Sequence, residues 1–240
     1  MQLYFIRHGQ SQNNASWDQY GSDYPRVEDP ELTEIGCRQV GLLARLLAQD
    51  GSFERPPQRF DLKDVDGFHL THLYCSLMVR AVETGAAVAE ALDMSLLAWK
   101  DLHETGGIFV HDRETGERRG LPGNGRAYLE GRYPRLVLSP DVAETGWWDR
   151  PFEEREERPA RARRVFERLI EQHGGTDDRV AMISHGGFYN YFMSAVLGYS
   201  YDSYRFLLNN VAITRIDFLQ DRTWISYTNR TDFLSPDLIT

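Results

Sequence analysis

Short apolar runs of strand-forming residues alternate along this chain with longer stretches whose apolar positions recur every three or four residues. Leu3-Tyr-Phe-Ile-Arg7 is the first run, a buried strand that ends at His8-Gly9. A polar loop rich in Asn, Asp and Gly follows. Leu32 to Gln49 then carries Val40, Leu43, Leu46 and Leu47 at helical spacing. Residues 50–68, with Gly51, Pro56 and Pro57, read as a surface connection. His72–Cys75 is a second strand running into a helix over Met78–Leu92, where Val82, Ala86, Ala89 and Leu92 form a stripe. Pro159–His173 is a helix with proline suited to its first turn and Gly174-Gly175 to its stop. Arg179–Ser184 is a third strand, closed by His185-Gly-Gly, and Phe188–Leu197 an apolar helix. Val211–Phe218 and Thr223–Thr228 alternate like a closing hairpin.

Strands alternating with helices predict an α/β fold, a three-layer α/β/α sandwich around a mostly parallel sheet. Residues 101–157 break the rhythm with clustered glycines, prolines and aromatics. A structureless loop of that length is uncommon in a compact domain, so the segment reads as a lid or subdomain inserted into a single domain spanning 1–240. Trp147, Trp148 and Phe152 read as its packing. The charge run Glu153–Arg164 reads as a solvated helix start.

Composition narrows the function classes. The chain has 240 residues and a formal net charge of −9, which disfavours nonspecific contact with nucleic acid or anionic membranes and leaves room for a small anion in a local basic pocket. Lysine occurs only at Lys63 and Lys100 among 27 basic residues, so nearly every cation is a guanidinium fork. Two cysteines, Cys37 and Cys75, are too few for a disulfide scaffold. With no secretory leader or membrane-length apolar run, the expectation is a cytoplasmic protein.

The candidate chemistry sits at strand ends, where open α/β sheets bind ligands. His8 and His185 occupy similar settings, each just after an apolar strand and just before glycine. Arg7 flanks His8, and Arg80 follows the Cys75-Ser76 strand end. Two imidazoles and two guanidinium groups make a pocket for a tetrahedral dianion. Any one of these residues alone reads as an ordinary loop or surface group; their joint occurrence at three strand ends carries the reading. His69, His72 and Cys75 have spacings suggestive of metal binding, but positions i and i+3 of a strand face opposite ways, so no metal site is expected.

The stretch Arg7-His8-Gly9-Gln10-Ser11-Gln12-Asn13-Asn14 resembles the Arg-His-Gly signature of the histidine phosphatase superfamily, the phosphoglycerate mutase-like enzymes. Leu32-Thr33-Glu34 with Gly36 and Gln39, Ser76 with Arg80-Ala81 and Glu83-Thr84, Ser184-His185-Gly186, and Asn210 match in the family's order. The resemblance implies a phosphoglycerate mutase-like fold and a phosphomonoesterase that needs no metal or other cofactor. It makes His8 the nucleophile. Arg7, Asn14, Arg80, His185 and Gly186 become phosphate ligands, and Glu104 in Leu102-His103-Glu104-Thr105-Gly106-Gly107 the proton donor and acceptor, with His103 its nearby rival. The implied partner is a small phosphorylated metabolite; oligomeric state is left open. Mutases of this kind carry a Glu-Arg-His-Tyr-Gly-like stretch around the acid, whereas this chain has His-Glu-Thr-Gly-Gly, which favours hydrolysis. A mutase and a noncatalytic phospho-ligand binding module are the rival readings.

Overall fold

In the computed structural model, which describes residues 1–21, 26–49 and 64–240, seven strands form one sheet. Each inner strand buries both faces, because its neighbours in sequence alternate between two apolar layers. In β1 (Gln2–Arg7), Tyr4 and Ile6 point into the first layer and Leu3 and Phe5 into the second. The same division holds in β7 (Arg179–Ser184), with Val180 and Met182 opposed to Ala181 and Ile183. Helices α2 (Glu34–Leu47) and α3 (Val79–Leu92) pack together on the first face. Helices α5 (Arg158–His173) and α6 (Gly186–Leu197) pack together on the second. The result is the three-layer α/β/α arrangement expected from the alternation.

The strand order is β6-β3-β2-β7-β1-β8-β9, with β2 (His72–Cys75), β3 (Leu96–Ala98), β6 (Leu136–Val137), β8 (Ile213–Phe218) and β9 (Thr223–Arg230). From β6 to β1 every pairing is parallel; β8 and β9 close the far edge as an antiparallel hairpin. Strands β1 and β7 are neighbours in register, Arg7 opposite Ser184, so the residues that follow them emerge side by side.

Three local expectations need correction or completion. The polar loop after His8 contains a helix, α1 (Gln12–Tyr20), capped by Ser11 and Asn14 in a reciprocal capping box. It buries none of its residues, so it leaves no apolar period to read. Strand β3, preceding residues 101–157, is a further parallel strand that periodicity did not reveal. Residues 101–157 hold a small hairpin of β4 (Phe109–His111) and β5 (Arg118–Gly120), the helix α4 (Arg126–Arg132), and β6, which extends the main sheet. Of the expected surface connection at 50–68, residues 50–63 lie outside the described residues. None of the described helices is long and apolar enough to cross a membrane.

Candidate active site

The carboxyl ends of four parallel strands converge. His8 follows β1, Ser76 and Arg80 follow β2, Glu104 follows β3 after one 3₁₀ turn (Lys100–Leu102), and His185 follows β7. Arg7, His8, Asn14, Arg80, Glu104 and Gly186 all line one cavity of about 470 Å³. His185 lies beside it, its ring centroid 5.0 Å from that of His8.

Taken alone, His8 reads from the sequence as an ordinary loop or surface group. It is instead only 3% exposed, because α2 and α3 close over the turn that carries it. Its Nδ1 lies 2.7 Å from the Gly9 carbonyl, which can only accept, so Nδ1 holds the proton. Its Nε2 lies 3.1 Å from Arg80 Nε, which can only donate, so Nε2 presents a lone pair. Burial, reinforced by the nearby charges of Arg80 and Arg7, holds the imidazole well below its usual pKa and therefore neutral at pH 7. His185 is fully buried and held low for the same first reason. Its Nε2 meets Ser76 Oγ at 2.9 Å, while its Nδ1 has no hydrogen-bond partner among the described residues.

The other signature residues fix the turn around His8. Gln39 Oε1 accepts from the Gln10 amide at 2.7 Å, and Thr84 Oγ1 accepts from the Gly9 amide at 3.1 Å. Asn210 Nδ2 donates to the His8 carbonyl at 3.0 Å and to Asn14 Oδ1 at 3.2 Å. Asn14 Oδ1 also accepts from the Ser11 amide at 3.1 Å, which leaves the Asn14 amide nitrogen as its donor toward a ligand. Gly36 is required by contact: a Cβ there would stand 2.1 Å from the Gln10 carbonyl oxygen. Thr33 caps α2 and Glu83 accepts from the Leu32 amide, so Leu32-Thr33-Glu34 is a structural brace for the His8 turn.

Glu104 is seated on the N-terminus of α6. Its Oε2 accepts from the Gly187 amide at 3.0 Å, and its Oε1 accepts from the amides of Phe188 at 2.9 Å and Thr105 at 2.7 Å. A helix N-terminus attracts negative charge, and three donors fix the carboxylate's position. His103, its rival, is fully buried behind the site: its Nδ1 donates to the Glu104 carbonyl at 2.8 Å and its Nε2 accepts from Arg150.

Two groups escaped the sequence reading. Asp29 accepts from the Val79 amide at 3.0 Å and stands 3.9 Å from Arg80. Burial pushes its carboxyl up to about 6. The run Glu153–Arg164 is not all solvated: Arg161, 1% exposed, pairs with both oxygens of buried Glu153 at 2.5 and 2.8 Å. It also donates to the carbonyls of Asp101 and His103, clamping the loop that presents Glu104. An isolated Asp between Glu and Pro, or one arginine among many, gives no signal in sequence.

Elsewhere, donor atoms of His72, His173 and Asp178 lie within 4.8 Å of one another at the amino ends of β2 and β7, the opposite end of the strands from His8. His173 Nδ1 is 2.8 Å from Asp178 Oδ2, so these groups satisfy one another directly. The sequence pairing of His72 with His69 and Cys75 is not formed, since Cys75 is fully buried in the apolar layer. A larger cavity of about 800 Å³ also lies at that end of the strands, lined among others by Met1, Arg179, Arg215 and Asp217, and contains none of the signature residues.

Two buried imidazoles and two guanidinium groups thus meet at adjacent strand ends of an α/β fold, and comparison with known proteins shows its family. The model of the histidine phosphatase superfamily (branch 1) matches residues 62–231. The chain belongs to that superfamily. It is 27% identical over 238 residues to a probable phosphoglycerate mutase, GpmB, of Klebsiella pneumoniae, covering 94% of this chain and 88% of that one. Its fold is similar to that of phosphoserine phosphatase from Entamoeba histolytica in complex with 3-phosphoglyceric acid, with TM-score 0.59, 18% identity and coverage of 98% and 99% of the two chains. It is also similar to mycobacterial glucosyl-3-phosphoglycerate phosphatase, with TM-score 0.60, 19% identity and coverage of 96% and 99%.

Proposed function

We propose that this protein is a metal-independent phosphomonoester hydrolase of a small phosphorylated metabolite, acting through a phosphohistidine at His8. The observation that carries the reading is the state of His8: neutral, with Nδ1–H spent on the Gly9 carbonyl and the Nε2 lone pair aimed at a guanidinium that can exchange it for phosphate. The phosphoryl group settles between Arg7, Arg80, the Asn14 amide and the Gly186 end of α6. Arg80 Nε passes from His8 Nε2 to a phosphoryl oxygen, freeing the nucleophile. His8 Nε2 forms the P–N bond as the ester P–O bond breaks, while the guanidinium groups and His185 offset charge on the equatorial oxygens. Glu104, carrying a proton when the ester binds, delivers that proton to the departing alkoxide. It then takes one from the water that breaks the P–N bond, returning His8 to its starting form.

Residues 101–157 supply Glu104, Thr105 and Phe109 to the cavity and in this reading shape substrate choice within one domain. A second reading, phosphoryl return to another hydroxyl, is favoured by the mutase relative. It predicts interconversion of 3- and 2-phosphoglycerate in the presence of a bisphosphate primer. The separating experiment measures phosphate release from a panel of phosphomonoesters in EDTA, for wild type and His8→Ala. Release by wild type alone supports the hydrolase. Isomerisation without net release supports the mutase, and tight phosphate binding without turnover supports a binding module.

A further inference from the structure

The cavity that His8 lines combines two kinds of surface. Around His8 its lining is polar, with Arg7, Arg80 and Asn14, but the same cavity is also lined by four large apolar side chains, Trp17, Phe109, Phe206 and Leu207. Trp17 is 54% exposed and Leu207 86% exposed. Apolar groups of that size lining one pocket and partly exposed there, rather than scattered singly, mark an apolar contact surface for a ligand.

This apolar wall is tied to the polar part of the lining. Asn190 on α6 accepts from the Phe206 amide at 2.7 Å and donates back to the Phe206 carbonyl at 3.1 Å. Arg7 donates to the Leu208 carbonyl at 2.5 Å. Leu207 is thus presented to solvent by a loop tied down on both sides. Trp17 belongs to α1, whose Ser11–Asn14 cap adjoins His8 and which buries none of its own residues. A third guanidinium reaches the cavity, that of Arg26. Its Cζ lies over the Phe109 ring, 3.8 Å from the centroid, and it donates to the Phe109 carbonyl at 2.5 Å. Its engagement with the ring extends the aromatic wall instead of offering an open fork for a second anionic group.

Resting on the hydrolase reading above, we infer that the alcohol portion of the substrate is apolar, an aromatic or branched-alkyl group that packs against Trp17, Phe109, Phe206 and Leu207 while the phosphoryl group sits on His8. A polar, carboxylate-bearing alcohol such as that of phosphoglycerate leaves this wall wet and finds Arg26 already occupied.

Binding and turnover test this separately. Calorimetry with non-hydrolysable phosphonates compares 2-phenylethylphosphonate with 2-hydroxyethylphosphonate and 2-carboxyethylphosphonate. Turnover compares 2-phenylethyl phosphate with glycerol 3-phosphate and 3-phosphoglycerate, all alkyl esters, so that leaving-group acidity does not set the ratio. The expected result is at least a roughly tenfold preference for the phenyl compound in Kd and in kcat/KM, the scale of burying a few methylene equivalents. Trp17→Ala and Leu207→Ser each reduce that preference by about threefold or more. Leu219→Ser, at an exposed apolar residue of the β8–β9 turn outside the cavity, retains it. Equal affinities, tighter binding of the carboxyethyl compound, or a preference unchanged in both wall variants overturns the inference. Discriminating binding with no ester hydrolysed overturns the hydrolase and leaves the apolar subsite standing.

Discussion

His8 commits its two ring nitrogens to opposite duties, and the residues around it are chosen by donor type. A carbonyl on one side and a guanidinium on the other leave a single tautomer, with burial keeping it uncharged. Glu104 is fixed with similar economy, and Gly187 is the residue that admits it: a Cβ there would stand 2.4 Å from Glu104 Oε1. Glu104→Gln should slow alkyl esters at least tenfold more than nitrophenyl esters, whose leaving group hardly needs a proton. Gly187→Ala should show the same ester-dependent loss with a nearly unchanged Tm, because the side-chain tip of Glu104 moves aside. Equal losses on both ester types would remove Glu104 from the proton-transfer role. Asp29 gives a pH prediction. Its carboxyl titrates near 6 in the fold against 3.8 as its ordinary value, so the folded state binds the proton more tightly. That contribution to stability is complete below about pH 4 and is lost as pH rises through 6. Relative to Asp29→Asn, wild type should lose on the order of 2 kcal/mol between pH 4 and 6, read from chemical denaturation at each pH.

At the scale of elements, the loop carrying Glu104 depends on a side chain from a helix on the second face. Arg161 on α5 binds Glu153 bidentately and holds the Asp101 and His103 carbonyls, while Ser184 Oγ donates to the Leu102 carbonyl at 2.7 Å. Arg161→Met should cost about 3–5 kcal/mol, since Glu153 is left buried without its counter-ion. Adding Glu153→Leu should recover much of that stability. Turnover of alkyl esters should stay low in the double variant, because the carbonyl anchors are not restored. Full recovery of activity would show that the clamp matters only for folding. The elements with a buried face (β1, α2, β2, α3, α5, β7, α6 and the closing hairpin) were legible from apolar spacing, to within a few residues at their ends. Helix α1 was not, because its formation rests on the Ser11–Asn14 cap and on no buried stripe. Strand β3 is only three residues long, and β6 only two, too short for any period to show.

Across the whole molecule, the parallel order β3-β2-β7-β1 is what turns four distant sequence positions into one site. The sequence placed His8, Arg80 and His185 at strand ends, and adjacency of β1 with β7 and of β7 with β2 brings them together. What it could not convey was depth: His8 reads as an exposed loop residue until α2, α3 and the Gly36 contact are seen to bury it. Nor could it convey Asp29, the Arg161 clamp, or the apolar wall, because each depends on contacts between segments far apart in the chain. The most direct test of this account is a rapid acid-free quench with a phosphate-labelled alkyl ester, followed by mapping of alkali-stable, acid-labile phosphoprotein. The account predicts a transient label on His8 that forms and decays at rates compatible with turnover and is absent from His8→Ala. Sustained turnover with no label on His8, or with the label on another residue, would contradict it.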